Sequence, residues 1–490
     1  MANAQKLVYS EPDKTEMRQT GFEIIGKYNN NYLVYKNFRS SNVISVYSPE
    51  MKLLNTYPLK FMPDRVIEAT FVAYSDYALL FYQYQQKGVV RLMAVKMGPE
   101  GKNLTEPIEI DTTITGGNSD TKIYSVLASE NKNQILAFRI NTRNEKRFVF
   151  KTMLFDKELT LKNSSSKLGL DMGERTTFLT DFDLDNDGNM VFGKGIRANQ
   201  TANISKFHLI VKHAQSDTFT FRELAFDKVT LDEVKLKLDN YNNRYLFTSF
   251  YYQNRKTNIE GIANAIFDKN SDKWVLTNTI PLDEQLREDA RGENSAKNAF
   301  DDYYIHDITI RSDGAFLVNA ESNYQSNRGN TSGFNRWDMM NPYMSPMDYY
   351  RYGSPYNYGS PFGYGSGPSN TRYHADNIMV LAFDKNGKMI LSNIVIKTQF
   401  DDNTENAISY QMVNTGNGLQ YIYNDNETRN VVLAYQTLNT EGRIIRNPTI
   451  KGITRDYKFL PRFAKQVDRR TVIIPCTFRN SLCFAKLEFQ

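Results

Sequence analysis

One pattern recurs about eight times along the chain: a short apolar run, an Asn/Asp/Gly turn, a second run rich in β-branched and aromatic residues, and another hairpin. The second runs read Tyr32-Leu33-Val34-Tyr35 after Asn29-Asn30-Asn31, Ala78-Leu79-Leu80-Phe81-Tyr82 after Ser75-Asp76, and Ile135-Leu136-Ala137-Phe138 after Asn131-Lys132-Asn133. Met190-Val191-Phe192, Tyr245-Leu246-Phe247, Phe316-Leu317-Val318, Leu419-Gln420-Tyr421-Ile422 and Val472-Ile473-Ile474 continue the series. Asn, Asp and Gly tolerate positive φ, so such turns close tight hairpins between antiparallel strands. A further run and turn follow, most clearly at Ala382-Phe383-Asp384-Lys385-Asn386-Gly387 and Ala265-Ile266-Phe267-Asp268-Lys269-Asn270.

A period of about 50 to 60 residues holding about four strands each suits β-propeller blades. The last unit, from about Phe459 to Gln490, has room for three strands, and Lys6-Leu7-Val8-Tyr9, within residues 5–11, is the candidate fourth that closes the ring. An all-β, eight-bladed propeller spanning 1–490 as one domain is therefore expected, ahead of seven blades with an N-terminal strand pair and of two stacked sandwiches. The 31 Tyr and 30 Phe supply a β-rich core. No run of about 18 apolar residues is present, so no membrane-spanning helix is expected. Asp283 to Asn298, with Leu282, Leu286 and Ala290 at helical spacing, predicts a short acidic helix between the fifth and sixth blades.

Residues 321–374 depart from the repeat, being dominated by Tyr, Gly, Ser, Pro, Asn and Met without strand or helix periodicity. They are expected as a long loop between the second and third strands of the sixth blade, over one mouth of the channel. Tyr and Trp offer amphipathic contact area and Met adapts to irregular surfaces. Trp337, Met339, Met340, Tyr343, Met344, Tyr349, Tyr350, Tyr352, Tyr356, Tyr358 and Tyr364 are thus the candidate partner-binding residues.

Asp183, Asp185, Asp187 and Gly188 match the first half of a calcium loop, but Lys194 stands where the bidentate Glu belongs. Phe182 and Leu184 alternate with the acids as in a strand entering a hairpin, so no cofactor is expected and calcium is the one candidate metal. His306 lies in Asp301-Asp302-Tyr303-Tyr304-Ile305-His306-Asp307, the nearest thing to an acid/base cluster. Cys476 and Cys483 flank a turn at Arg479-Asn480 that would set them opposite each other, either bonded or as two buried thiols.

The net charge is only +5, yet Arg443, Arg446, Lys451, Arg455, Lys458, Arg462, Lys465, Arg469 and Arg470 are opposed by few acids. They form a candidate basic patch for an acidic protein, lipid headgroup or polysaccharide; nucleic acid is not expected, because no nucleic-acid motif accompanies them. Ala2-Asn3-Ala4 before Gln5 has the small-residue character of the end of a secretory signal, so an exported chain is expected.

The segment Ala375-Asp376-Asn377-Ile378-Met379-Val380-Leu381-Ala382-Phe383-Asp384-Lys385-Asn386-Gly387, preceded by the Tyr-rich insertion and followed by Lys397-Thr398-Gln399-Phe400-Asp401-Asp402, resembles uncharacterised exported β-propeller-like proteins of Bacteroidota. The likeness is best over about residues 307–423. It implies the cell envelope, in the periplasm or at the outer membrane, with a role docked to a partner such as a channel-plugging or secretion-associated subunit. The expected function is a non-enzymatic scaffold that binds an envelope protein or glycan, with peripheral membrane association compatible. The alternative is a carbohydrate-active or other hydrolytic propeller with Asp301, Asp302 and Asp307 at the channel mouth.

Overall fold

A computed structural model describes residues 5–14, 20–38, 41–115, 122–144, 147–173, 176–199, 202–253, 258–291, 299–327, 371–402, 404–427, 430–450 and 457–489. The described residues are all-β, built from antiparallel sheets in chain order. The units cover residues 20–58, 68–114, 125–171, 177–224, 235–281, 303–395 and 410–446, with a last unit from residues 457–488 and the N-terminal strand. The fourth and fifth units share one nine-stranded sheet because the short strand Val229–Leu231 touches both.

Each second strand carries a largely apolar run in its first half because both its faces are covered there. Leu33 and Tyr35 pack with Phe71, Leu80 and Tyr82 of the next unit, whereas Tyr32 and Val34 pack with Ile473 and Phe484 of the last. The same division repeats between every successive pair of units. Since the cluster between the last and first units is as buried as the others, the sheets form a closed ring, the arrangement of a β-propeller. Each fully buried Leu, Val or Phe contributes roughly 1.5–3 kcal/mol.

The N-terminal strand Lys6–Tyr9 pairs along Ser481–Glu488, from Lys6 opposite Glu488 to Tyr9 opposite Ala485. Ser10 continues the ladder by donating its N–H to Phe484 O at 2.8 Å. Asp13 then accepts a 2.7 Å bond from the buried Lys36 of the first unit. Leu7, Val8 and Tyr9 are half-buried. Removing residues 1–10 is expected to cost roughly 2–4 kcal/mol, about half the full burial of three apolar side chains. Urea unfolding would read this as a lower midpoint at unchanged m-value.

Turns between first and second strands share one end of the ring and staple neighbouring units there. Asn131 N–H donates to Asn186 Oδ1 at 3.0 Å, and Asn186 N–H donates to Asn240 Oδ1 at 2.9 Å. Gln466 Nε2 donates to Asn414 O at 2.8 Å, and Lys27 meets Asp468 at 2.7 Å. The Asn-rich turns therefore serve hairpin geometry and inter-unit bonding together; Asn29 and Asn30 both sit at positive φ.

The predicted acidic helix is present as Glu284–Arg291, capped by Asp283, whose Oδ1 accepts the Leu286 N–H at 2.8 Å. Residues 292–298 lie outside the described residues. Among the described residues, no helix is long and apolar enough to cross a membrane.

Both ends of the expected insertion are strand. Phe316–Asn327 and Thr371–Phe383 are paired strands as far as Asn327 opposite Thr371, so Glu321–Asn327 and Thr371–His374 belong to the sixth sheet. Polar residues there conceal a strand whose pairing partner is remote in sequence. Residues 328–370 lie outside the described residues, and with them every candidate partner-binding residue from Trp337 to Tyr364.

Candidate functional site

The inner strand of the sixth unit, Tyr303–Ile310, carries a bulge: Ile305 opposes Ala320 and Asp307 opposes Asn319, leaving His306 as the extra residue. Bulges re-aim side chains, and His306 lines a cavity of about 240 Å³. A second irregularity at Asp376 and Asn377 separates the pairs Glu321–Ile378 and Asn323–Ala375. It falls beside the first, so Glu321 and Asn323 flank the imidazole.

Asn323 Nδ2 lies 3.1 Å from His306 Nε2, which assigns Nε2 as acceptor and turns Nδ1–H toward Glu321 Oε2, 3.5 Å away. The ring also lies parallel to Tyr410, at 6.0 Å and 12°. About a third of the His306 side chain, 32%, is open to the cavity. Desolvation by the surrounding protein nevertheless holds its pKa below the ordinary histidine value, with Arg462, Lys235 and Lys397 reinforcing this and Glu321 opposing it.

Glu321 is wholly buried, and its Oε1 is 2.7 Å from the equally buried Lys397 Nζ. Ser409 Oγ donates to Oε2 at 2.6 Å. Lys397 Nζ also donates to Ala375 O and Gln399 Oε1, both at 2.7 Å. Burial pushes the Glu321 pKa up, but Lys397, His306 and the bonds from Lys397 and Ser409 outweigh it and hold the carboxyl below its usual range. An ionised carboxylate locked in this way supports the site and is not poised to donate a proton.

The rest of the cavity comes from neighbouring units. Glu233 and Lys235 enter from the fifth, Tyr324 and His374 from the sixth, Glu405 and Ile408 from the link to the seventh, and Arg462 from the last. Tyr324 and His374 are register partners whose rings stack at 4.3 Å and 6°. Tyr324 Oη donates to Asp376 Oδ2 at 3.0 Å, and Arg372 grips Asp402 with two bonds at 2.9 and 3.3 Å. The cavity thus opens at the root of residues 328–370, at the end of the ring where second-to-third-strand connections emerge.

The acids expected at the channel mouth do not converge. Asp302 accepts Ser322 Oγ at 2.7 Å and Asp307 accepts Thr309 Oγ1 at 2.9 Å, and neither they nor Asp301 line the cavity. The buried acid beside His306 is Glu321, at the boundary where the strand's apolar residues give way to polar ones. Its available signal was a charged residue shortly after the apolar run Phe316-Leu317-Val318.

The calcium candidate is corrected. Asp185 is wholly buried; its Oδ1 accepts the N–H groups of Asp187 and Asn189, and its Oδ2 accepts Tyr245 Oη and Lys269 Nζ, both at 2.7 Å. Lys269 also meets Asp187 at 2.6 Å, so an ammonium stands where the cation was expected, and Asp183 instead accepts the Leu184 N–H. Among the described residues, no group of three or more His, Cys, Asp or Glu is placed to hold a metal ion.

The basic patch is also dispersed: Arg446 pairs with Asp425, Lys458 with Asp401 and Arg462 with Glu405, while Lys465 donates to the carbonyls of Ile24 and Ile25. Lys451 and Arg455 lie outside the described residues. Cys476 and Cys483 sit directly opposite each other, both buried and unbonded, with their Sγ atoms 2.9 Å apart.

No protein-family model and no curated protein matches this chain. Solved structures similar to it include the WD40 domain of SCAP from fission yeast, at 9% identity and TM-score 0.41, covering 99% of this chain and 98% of that one. Prolyl oligopeptidase B from Galerina marginata is similar at 7% identity and TM-score 0.44 over 95% of this chain and 56% of its own. An ulvan lyase of polysaccharide lyase family PL25 is similar at 8% identity and TM-score 0.40 over 85% and 90%. The assignment of a propeller rests on the sheet order and the closed set of cores.

Proposed function

We propose that this chain is an eight-bladed propeller of the cell envelope, exported to the periplasm or outer membrane. It acts as a non-enzymatic scaffold that holds a protein or glycan partner on the face from which residues 328–370 depart. The observation that carries this reading is the cavity at the root of that segment, lined by tyrosines, histidines and paired charges from successive units. Support for the blade number comes from counting the units together with the N-terminal strand that completes the last. Export is part of the proposal and rests on the sequence resemblance over about residues 307–423 alone. A channel-plugging role would use the same face. Hydrolysis has less behind it, because the carboxylate nearest His306 is locked to Lys397.

Replacing residues 328–370 by a short Gly/Ser linker should leave the fold intact, because Asn327 and Thr371 are register partners that a tight turn can join. Affinity purification from the native envelope is expected to lose a specific partner by about tenfold or more, at an essentially unchanged Tm. Tyr324→Ala should weaken capture of the same partner. Recovery of the same proteins and glycans by intact chain and linker variant would refute the scaffold reading.

A further inference from the structure

We infer that the cavity beside His306 is a subsite for one neutral sugar ring, which makes the partner at this face a neutral glycan. This rests on the scaffold reading and narrows it. The charges in the lining compensate each other locally: Lys235 lies 2.7 Å from Glu233 and Arg462 lies 3.1 Å from Glu405. A charged ligand would have to break one of these pairs, whereas a neutral ligand can bond to both members. Carboxylates accept, guanidinium and ammonium groups donate, and a hydroxyl group does both. A polyhydroxylated ring is therefore matched by donor–acceptor pairs arriving from two sides, with the Asn323 amide and the His306 ring between them.

The stacked Tyr324–His374 pair, with Tyr304 and Tyr373 nearby, supplies flat aromatic surface for the C–H face of such a ring. The volume of about 240 Å³ lies below the roughly 300–1,000 Å³ typical of drug-sized ligands, which limits the occupant to about one ring. The site is held in place beforehand. The bulge aims His306, Tyr324 is tied to Asp376, and Glu321, paired with Lys397, holds Asn323 and His306 from behind.

The test uses the full chain and ligand-detected NMR with methyl glycosides of glucose, galactose and mannose and with N-acetylglucosamine. Glucuronate, glucosamine and a neutral dipeptide serve as comparators. At least one neutral sugar is expected to saturate with Kd on the order of 1 mM, as suits a ligand of this size. The affinity should stay within about twofold between about 50 and 500 mM NaCl, because no net charge is matched. Tyr324→Ala and Arg462→Gln should each weaken binding about tenfold. Should either variant fail to fold, as judged by near-UV circular dichroism, the panel on the unmodified chain decides alone.

Absence of neutral-sugar binding up to about 50 mM, some fifty times the expected Kd, overturns the proposal. So does binding of only glucuronate, glucosamine or the dipeptide. If the sugars fail while partner capture still depends on residues 328–370, the scaffold reading stands and this one falls. If sugars bind but capture does not depend on that segment, the site assignment stands and the scaffold reading falls.

Discussion

Glu321→Ala is expected to lower the unfolding free energy by about 4 kcal/mol, within the range of about 3–5 kcal/mol for breaking a buried ion pair. The substitution leaves the wholly buried Lys397 ammonium facing a cavity, removes the acceptor of Ser409 Oγ, and deprives His306 of its neighbouring charge. Equilibrium urea denaturation gives the value directly. The double variant Glu321→Leu/Lys397→Met should recover most of the loss, because replacing both charges by apolar groups removes the desolvation penalty with the attraction. If the single variant costs less than about 1 kcal/mol, the pair is not the buried bridge described here.

The pH dependence has a definite sign. The Glu321 carboxyl is held below its usual pKa in the folded state, so its contribution is complete above the unfolded carboxyl value and is lost as pH falls through the folded value. The intact protein should therefore lose stability on that acid limb, and Glu321→Ala should flatten it. His306 acts in the same direction at higher pH: its folded pKa is depressed, so the unfolded chain takes up a proton first as pH falls below the ordinary histidine range.

Asp185→Ala is expected to cost about 3 kcal/mol, at the lower end for a buried pair because Lys269 keeps Asp187 as a partner. Most of the cost comes from Tyr245 Oη, Asn189 Nδ2 and two backbone N–H groups losing their acceptor in the interior. Asp185→Asn keeps an oxygen for the turn and should cost less. Adding calcium should leave the Tm of the intact chain unchanged, since the Lys269 ammonium holds the position. A calcium-dependent rise in Tm would show that the lysine is displaced and would overturn this assignment.

The two carboxylates also show where sequence reading stops. Asp183, Asp185 and Asp187 have the spacing of a calcium loop, and only Lys269 from the next unit makes the string an ion-paired turn. Glu321 looked like the first residue of a loop, because Lys397 and Ser409, which make it a buried anchor, lie far along the chain. Asp301, Asp302 and Asp307 drew notice by clustering in sequence, yet strand alternation and local hydroxyl partners separate them.

By itself the sequence determined the repeating hairpins, the antiparallel order and the apolar runs that open the second strands. These follow from local turn chemistry and from burial on two faces, both written in consecutive residues. The opposition of Cys476 and Cys483 across a two-residue turn is local in the same sense. Only the tertiary structure decided that the ring closes through Ile473, Phe484 and Phe22, that His306 is turned inward by a bulge, and that Glu233, Tyr324, Glu405 and Arg462 share one cavity. Those residues are brought together by the angular order of the sheets around the ring, and a charge or ring on one strand acquires its role from whichever strand lies opposite it.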